Sequence, residues 1–192
     1  DHCVVSEQAF TYDQALAIIV FTAYDDLYAA ESILAFFAKI PTDPFVGYAN
    51  AYGHASGGVT EGTVHCGPNI WLGIAALRFY ERTGVPDAVP LAERIARWLM
   101  GIQTSDPDGG VKGGPASPWI STEHNLDAYA FFLMMGRITG QKKYTHAARQ
   151  IFAWLQKHAF NPDAEKEFLP PVNRGWEDPT VATDVYALSL IA

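Results

Sequence analysis

The sequence predicts an all-α protein made of helical hairpins that repeat about every 57 residues, arranged as an arc or a ring. Strongly apolar helix patterns alternate along the chain with amphipathic ones, and similar segments recur at nearly constant spacing. Helices that are apolar on all sides are expected inside, with the amphipathic helices outside them. The long loops would then gather on one rim of the repeat array.

The predicted helices come in pairs, each an apolar helix followed by an amphipathic one. The pairs cover about 6–23 with 25–38, 68–83 with 88–103, and 122–139 with 142–158, and a last apolar helix starts near Thr180. Loops rich in Gly and Pro separate them at 40–68, 104–120 and 161–179. In the first loop, Ser56-Gly57-Gly58 is typical of a hairpin turn.

The repeat is visible in the apolar helices. Asp13, Trp71, Asp127 and Asp184 each precede a run of small and apolar residues, and they are separated by 58, 56 and 57 residues. We therefore expect these four residues to occupy equivalent places in successive hairpins. Because Asp recurs at three of the four places, it could serve each hairpin as an anion near a helix start, bonding the neighbouring loops.

Composition narrows the class of protein. A chain of 192 residues that is 49% hydrophobic has enough apolar surface for a large core and is interpreted as one domain, 1–192. A net charge of −8 argues against nucleic acid as a partner, and no apolar run of about 18 residues predicts a membrane span. Cys3 and Cys66 allow one disulfide but do not fix the compartment, so a periplasmic or secreted location stays open.

The stretch from Ser121 to Asp127 holds the strongest candidate site. Ser121 or Thr122 is suited to cap a helix, and Glu123 and Asp127 lie one turn apart on the same face, with His124 beside them. Two carboxylates and an imidazole at the start of an apolar helix are costly to bury unless they are paired or used in chemistry. A helix cap with a nearby anion and a solvated histidine is the simpler alternative.

Three segments resemble parts of bacterial six-hairpin glycosidase-like proteins: Tyr12 to Ala17, Ser121 to Tyr129 and Asp178 to Asp184. The resemblance implies an (α/α)6 toroid, a fold shared by glycoside hydrolases, polysaccharide lyases and sugar epimerases. A full ring needs twelve helices, whereas seven are predicted here. The chain is therefore expected to be an incomplete portion of a toroid, completed by the remainder of the same protein or by a second copy.

The resemblance implies a carbohydrate site on the rim where the inner helices begin. Four carboxylates there are the candidate acid and base: Asp13, Glu123, Asp127 and Asp184. Five further residues are the candidate substrate contacts, with the two indoles as stacking surfaces for sugar rings: Trp119, His124, Asn125, Arg174 and Trp176. Both Trp residues could instead anchor loops, and Arg174 with Glu177 could form a surface ion pair.

No metal or cofactor is expected. The cysteines and histidines lack metal-ligand spacing, and the stretch Asp106-Pro107-Asp108-Gly109 is interpreted as an Asx turn rather than a calcium loop. The leading hypothesis is an enzyme, a glycoside hydrolase or polysaccharide lyase-like protein acting on an oligo- or polysaccharide. The competing hypothesis is a non-catalytic helical-repeat scaffold or binding module.

Overall fold

The computed structural model describes residues 7–41, 43–103, 105–164 and 171–189. They divide into two compact units, Asp1–Trp98 and Leu99–Ala192. Helices dominate both units, so the predicted all-α class is confirmed, while the assignment of 1–192 to a single domain stays a prediction. Among the described helices, none is both long enough and apolar enough to cross a membrane. Cys3 lies outside the described residues, so its pairing with Cys66 stays a prediction.

The first unit combines two helical hairpins with a small sheet. Its elements are β1 Gln8–Phe10, α1 Thr11–Ala23, α2 Leu27–Lys39, β2 Ala51–Gly53, β3 Val59–Glu61 and α3 Cys66–Thr83, followed by α4 Ala88–Gln103, which continues past Trp98. The strands form one antiparallel sheet in the order β1-β2-β3. The predicted hairpin turn at Ser56-Gly57-Gly58 is confirmed, since it connects β2 to β3.

The second unit contains the third hairpin and the start of the fourth. Its helices are α5 Thr122–Thr139, α6 Lys142–His158 and α7 Thr183–Ser189. The bounds of α5 and α6 match those predicted from the sequence. Helix α5 begins at the Ser121 cap, whose hydroxyl accepts from the His124 N–H at 3.3 Å, and ends at Gly140, whose φ of 68° suits a residue without a Cβ.

Helices α5 and α6 pack closely where a glycine allows it. A Cβ at Gly136 would stand 2.5 Å from Cγ2 of Thr145, so any larger residue would push the two helices apart. Helix α7 contacts α5 through the buried Val185. The core of the unit is formed mainly by Leu126, Phe131, Phe132, Met135, Tyr144, Ile151, Trp154 and Leu155.

Two predictions about α1 are wrong. The helix begins at Thr11 rather than near Ser6, because Gln8–Phe10 pairs as a strand with Ala51–Gly53. The helix is also not enclosed on all sides. Its buried residues, Thr11, Ala15, Ile18 and Thr22, form one face, and Val20 is 51% exposed. Within this unit α1 packs against α2 and α3, which together cover one side of it.

The repeat is real, but its alignment at Asp13 and Asp184 needs correction. Trp71 and Asp127 are each the sixth residue of their helix, as the spacing predicts, whereas Asp13 is the third residue of α1 and Asp184 the second of α7. Alignment by spacing assumes loops of equal length, and the loops before these helices differ in length. The hydrogen bonds give the true correspondence. Thr11 and Thr122 each donate their N–H and hydroxyl to two successive loop carbonyls.

Candidate functional site

A cavity of about 480 Å³ opens in the second unit where α5 begins. It is bounded by the start of α5, the segment before it, the loop at 174–178 and the first turn of α7. Six of the lining side chains are polar, charged or aromatic in ways that suit a ligand site: Trp119, Glu123, His124, Arg174, Trp176 and Asp184. The sequence singled out all six of these residues.

Backbone hydrogen bonds fix the loop at 174–178 against the start of α5. Thr122 donates its N–H to the Arg174 carbonyl at 2.9 Å, and Trp176 donates its N–H to the Ile120 carbonyl at 3.0 Å. Gly175 lies between them, and a Cβ there would stand 2.7 Å from the Ile120 carbonyl oxygen. Only glycine allows this close approach, which places Arg174 and Trp176 on the wall of the cavity.

Glu123 and Asp184 form the electrostatic centre of the cavity. Glu123 lies in the first turn of α5 and is partly buried, and Asp184 lies in the first turn of α7. Burial raises the pKa of Glu123, and the negative charge of Asp184 raises it further. The two carboxyl groups therefore interact, and the pair has one member that holds its proton more readily than an ordinary glutamate.

Arg174 is engaged by a carboxylate that the sequence analysis did not identify. Its Nε donates to Oδ2 of Asp178 at 2.8 Å, and its Nη2 contacts the same oxygen at 2.6 Å. The other oxygen of Asp178 accepts from the Thr180 N–H at 3.1 Å. Hydrogen bonds from Thr180 and then from Arg174 lower the pKa of Asp178. The expected pair of Arg174 with Glu177 is thus replaced by Arg174 with Asp178.

The two predicted stacking residues both lie on the cavity wall with a large part of the ring in solvent. Trp119 is 46% exposed and Trp176 is 50% exposed. The Trp119 ring covers Gly113, where a Cβ would stand 2.3 Å from the indole. Its backbone carbonyl also accepts from the Gly113 N–H at 3.0 Å, so both ring and backbone are fixed at this point.

Trp176 is supported from behind by a polar cluster on α6. Its ring meets the His158 ring edge-on at 5.8 Å between centroids. The Nε2 of His158 lies 2.8 Å from Oδ2 of Asp108, and Lys157 donates to Oδ1 of the same carboxylate at 2.7 Å. Hydrogen bonds from Lys157 and then His158 lower the pKa of Asp108. The cluster holds the inner edge of the Trp176 ring while its outer part faces solvent.

Asn125 and Asp127 lie below the cavity surface rather than on it. The Asn125 amide is fully buried: it accepts from the Val111 N–H at 2.8 Å and donates to the carbonyls of Val111 and Ser121 at 3.0 and 2.8 Å. Asp127 is 5% exposed on the buried side of α5. The structure therefore places both residues among the supports of the site.

Asp13 is the remaining predicted site residue. It is exposed in the first turn of α1, in the first unit, and does not line the cavity. Asp178 is the residue that sequence reasoning missed. Its signal was present, because Arg174 precedes it by four residues and Pro179 follows it, a pattern typical of a turn closed by an ion pair.

The described residues contain no group of three or more His, Cys, Asp or Glu side chains arranged to hold a metal ion. The predicted Asx turn is confirmed, since Oδ1 of Asp106 accepts from the N–H groups of Asp108 and Gly110 at 2.9 and 3.1 Å. Cys66 is not a loop residue, because it begins α3. It is fully buried there, and burial raises the pKa of its thiol to about 12.

No protein-family model matches the chain, and no curated protein matches it in sequence. Solved structures do match it in fold. D-mannose isomerase superposes on 95% of this chain and 52% of its own, with a TM-score of 0.75 and 16% identity. The match to cellobiose 2-epimerase from Bacillus thermoamylovorans covers 82% and 47%, with a TM-score of 0.72 and 11% identity. Rex8A from Paenibacillus barcinonensis, solved with xylose, covers 96% and 55% at 0.69 and 12%.

These matched structures belong to the six-hairpin glycosidase superfamily. The chain shares their (α/α) toroid fold. It spans about half the length of the structures it matches. The predicted resemblance and fold class are therefore confirmed, and at 11–16% identity the likeness concerns the fold.

Proposed function

We propose that the protein is a carbohydrate-active enzyme whose acid–base pair is Glu123 and Asp184. The observation that carries this proposal is the cavity itself. It combines a carboxyl group of raised pKa, a second carboxylate that interacts with it, and two half-exposed indoles on its wall. The matched structures include a sugar isomerase, a sugar epimerase and a protein solved with xylose, which supports a saccharide as the ligand.

In the proposed reaction, Glu123 is the general acid. A carboxyl group with a raised pKa keeps its proton near neutral pH and donates it to the oxygen of the leaving sugar. Asp184, exposed and ionised, would activate water or stabilise the positive charge that develops on the sugar ring. Trp119 and Trp176 would hold sugar rings against their faces, and His124 and Arg174 would bond to hydroxyl groups. Asn125 and Asp127 would hold the start of α5 in place.

The competing scaffold hypothesis is less well supported. In a scaffold, each carboxylate at a helix start would pair with a cation or a backbone N–H group, as Asp178 does with Arg174 and Thr180. Glu123 has a raised pKa, the opposite of what such partners produce. Its proposed role is therefore chemical rather than structural.

The test is an assay of the full-length protein against a panel of oligosaccharides, with mass spectrometry to detect cleavage, isomerisation and epimerisation. Glu123→Gln is expected to lower kcat by about 10²- to 10⁴-fold, the usual contribution of a general acid. Glu93→Gln is the control, because Glu93 is a partly buried glutamate of α4 that contacts Arg97 and does not line the cavity. Full activity in Glu123→Gln, or no activity of the wild-type protein on any saccharide, would contradict the proposal.

A further inference from the structure

The charges around the cavity point to the class of saccharide that it accepts. Three carboxylates line it, those of Glu123, Asp178 and Asp184. Among the lining residues that the structure describes, Arg174 carries the one fixed positive charge. His124 would add a positive charge only when protonated. The wall is therefore negative or, with Glu123 protonated, still more acidic than basic.

The single guanidinium is already neutralised. Two nitrogens of Arg174 contact Oδ2 of Asp178, at 2.8 and 2.6 Å, and the Thr180 N–H holds the other oxygen of that carboxylate at 3.1 Å. A saccharide carboxylate would have to displace Asp178 from Arg174 to gain a cationic partner. It would also lie close to Asp184 and Glu123, and like charges brought together in this way weaken binding.

We infer that the cavity accepts neutral sugars and rejects uronic acids, and that Asp178 is the residue that sets this preference. The inference rests on the proposed carbohydrate function and deepens it, because it separates the two reaction classes that the fold allows. Enzymes that cleave uronate chains by elimination need a positive group to neutralise the substrate carboxylate. Here that group is occupied by Asp178, so cleavage or isomerisation of a neutral sugar is the chemistry that the site supports.

The shape of the cavity agrees with a neutral ligand. Sugar rings with hydroxyl groups present C–H faces that pack against indole, and two half-exposed indoles lie on the wall. Hydroxyl groups also donate to carboxylates, so Asp184 and Glu123 would bind a neutral sugar while repelling an anionic one. The same side chains thus provide both attraction and selectivity.

The experiment is a comparison of dissociation constants for the full-length protein by isothermal titration calorimetry. The probes are the neutral tetrasaccharides xylotetraose and mannotetraose and the anionic tetragalacturonate. At least one neutral probe is expected to bind about tenfold or more tightly than tetragalacturonate, as expected for a like-charge mismatch. Equal or tighter binding of tetragalacturonate would overturn the inference and leave the carbohydrate function standing. No binding of any probe would contradict the proposed function itself.

A variant then tests the role of Asp178. Asp178→Asn keeps an oxygen that accepts from Thr180 but releases Arg174, so tetragalacturonate should bind about tenfold more tightly while neutral probes change by less than about threefold. Asp25→Asn is the matched control, because it also removes one carboxylate from an arginine, Arg82, and Asp25 does not line the cavity. Asp184→Asn gives an independent reading, since it removes a negative charge without touching the loop at 174–178. If neither variant improves uronate binding, the assignment of selectivity to these charges is wrong.

Discussion

The starts of α3 and α5 are built on the same framework but carry different chemistry. Asn69 and Asn125 are each the fourth residue of their helix. Each side chain accepts from one loop N–H, that of Tyr48 or Val111, and donates to the carbonyl of that same residue. Each also donates to the carbonyl just before its own helix, at 2.8 Å in both cases. One buried asparagine thus clamps the preceding loop in both hairpins.

The residues around this clamp differ. Helix α3 begins Cys66-Gly67-Pro68, with Cys66 and Gly67 buried, whereas α5 begins Thr122-Glu123-His124, with Glu123 and His124 lining a cavity. Gly67 thus occupies the place in α3 that Glu123 occupies in α5. The repeat supplies the scaffold, and a few residues at one helix start supply the candidate chemistry. The predictions below test each half of this comparison.

The largest expected effect on stability comes from removing the clamp. Asn69→Ala and Asn125→Ala each delete three hydrogen bonds and leave buried backbone groups without partners, a loss of about 3 kcal/mol in the free energy of unfolding. Because the framework is the same, the two losses should be equal within about 1 kcal/mol. Denaturant unfolding followed by circular dichroism measures both. A large loss in one variant and none in the other would show that the two starts are not equivalent.

The next effect concerns the Trp119 platform. Gly113→Ala places a methyl group 2.3 Å from the indole and must displace it, so saccharide affinity should fall about tenfold, as it should in Trp119→Ala. Gly101→Ala is the matched control, since a Cβ there meets nothing within 4 Å. Affinity is measured by calorimetry with the neutral tetrasaccharide that binds best. Unchanged affinity in Gly113→Ala would mean that the ring does not contact the ligand.

A smaller effect is expected on the titration of Glu123. Its pKa is raised first by burial and then by Asp184, so Asp184→Asn should lower that pKa while leaving it above that of an ordinary glutamate. A general acid works when protonated, so the activity of the wild-type protein should fall as the pH rises through this raised pKa. NMR titration of the Glu123 carboxyl carbon measures the shift directly. A pKa that stays in place in Asp184→Asn, with Glu93→Gln as the control, would show that the carboxyl groups do not interact.

The smallest effect is expected at Asp108, behind Trp176. Asp108 has a lowered pKa, so its ion pairs stabilise the fold above its ordinary pKa and are lost as the pH falls through the lowered value. Asp108→Asn should therefore reduce stability slightly at neutral pH and not at strongly acidic pH, because Lys157 is exposed and its pair is screened. Thermal unfolding at the two pH values measures this. A larger loss in acid than at neutral pH would contradict it.

Helix periodicity was the part of the fold that the sequence could reveal. The bounds of α4, α5 and α6 follow from the spacing of apolar residues, and Gly84 and Gly140 mark two helix ends. The strand Gln8–Phe10 could not be predicted in this way. It is three residues long, and its pairing depends on Ala51–Gly53, more than 40 residues away.

The candidate site was predictable in its members but not in their relations. Glu123, Trp119 and Trp176 stand out by residue type beside an apolar helix. The burial of Asn125 and Asp127 could not be deduced, because an amphipathic pattern does not say how deep each polar residue lies. The Asp13 alignment failed for a related reason, since loop length shifts the helix start without altering the approximate period of the repeat.

The most direct measurement is a crystal structure of the full-length Glu123→Gln variant with a bound neutral tetrasaccharide. The sugar should lie against Trp119 and Trp176, with a sugar oxygen within hydrogen-bond distance of the side chain at position 123. A sugar bound elsewhere, for example in the cavity of the first unit that Phe36, Tyr52 and His54 line, would contradict the proposal that the start of α5 is the reactive site.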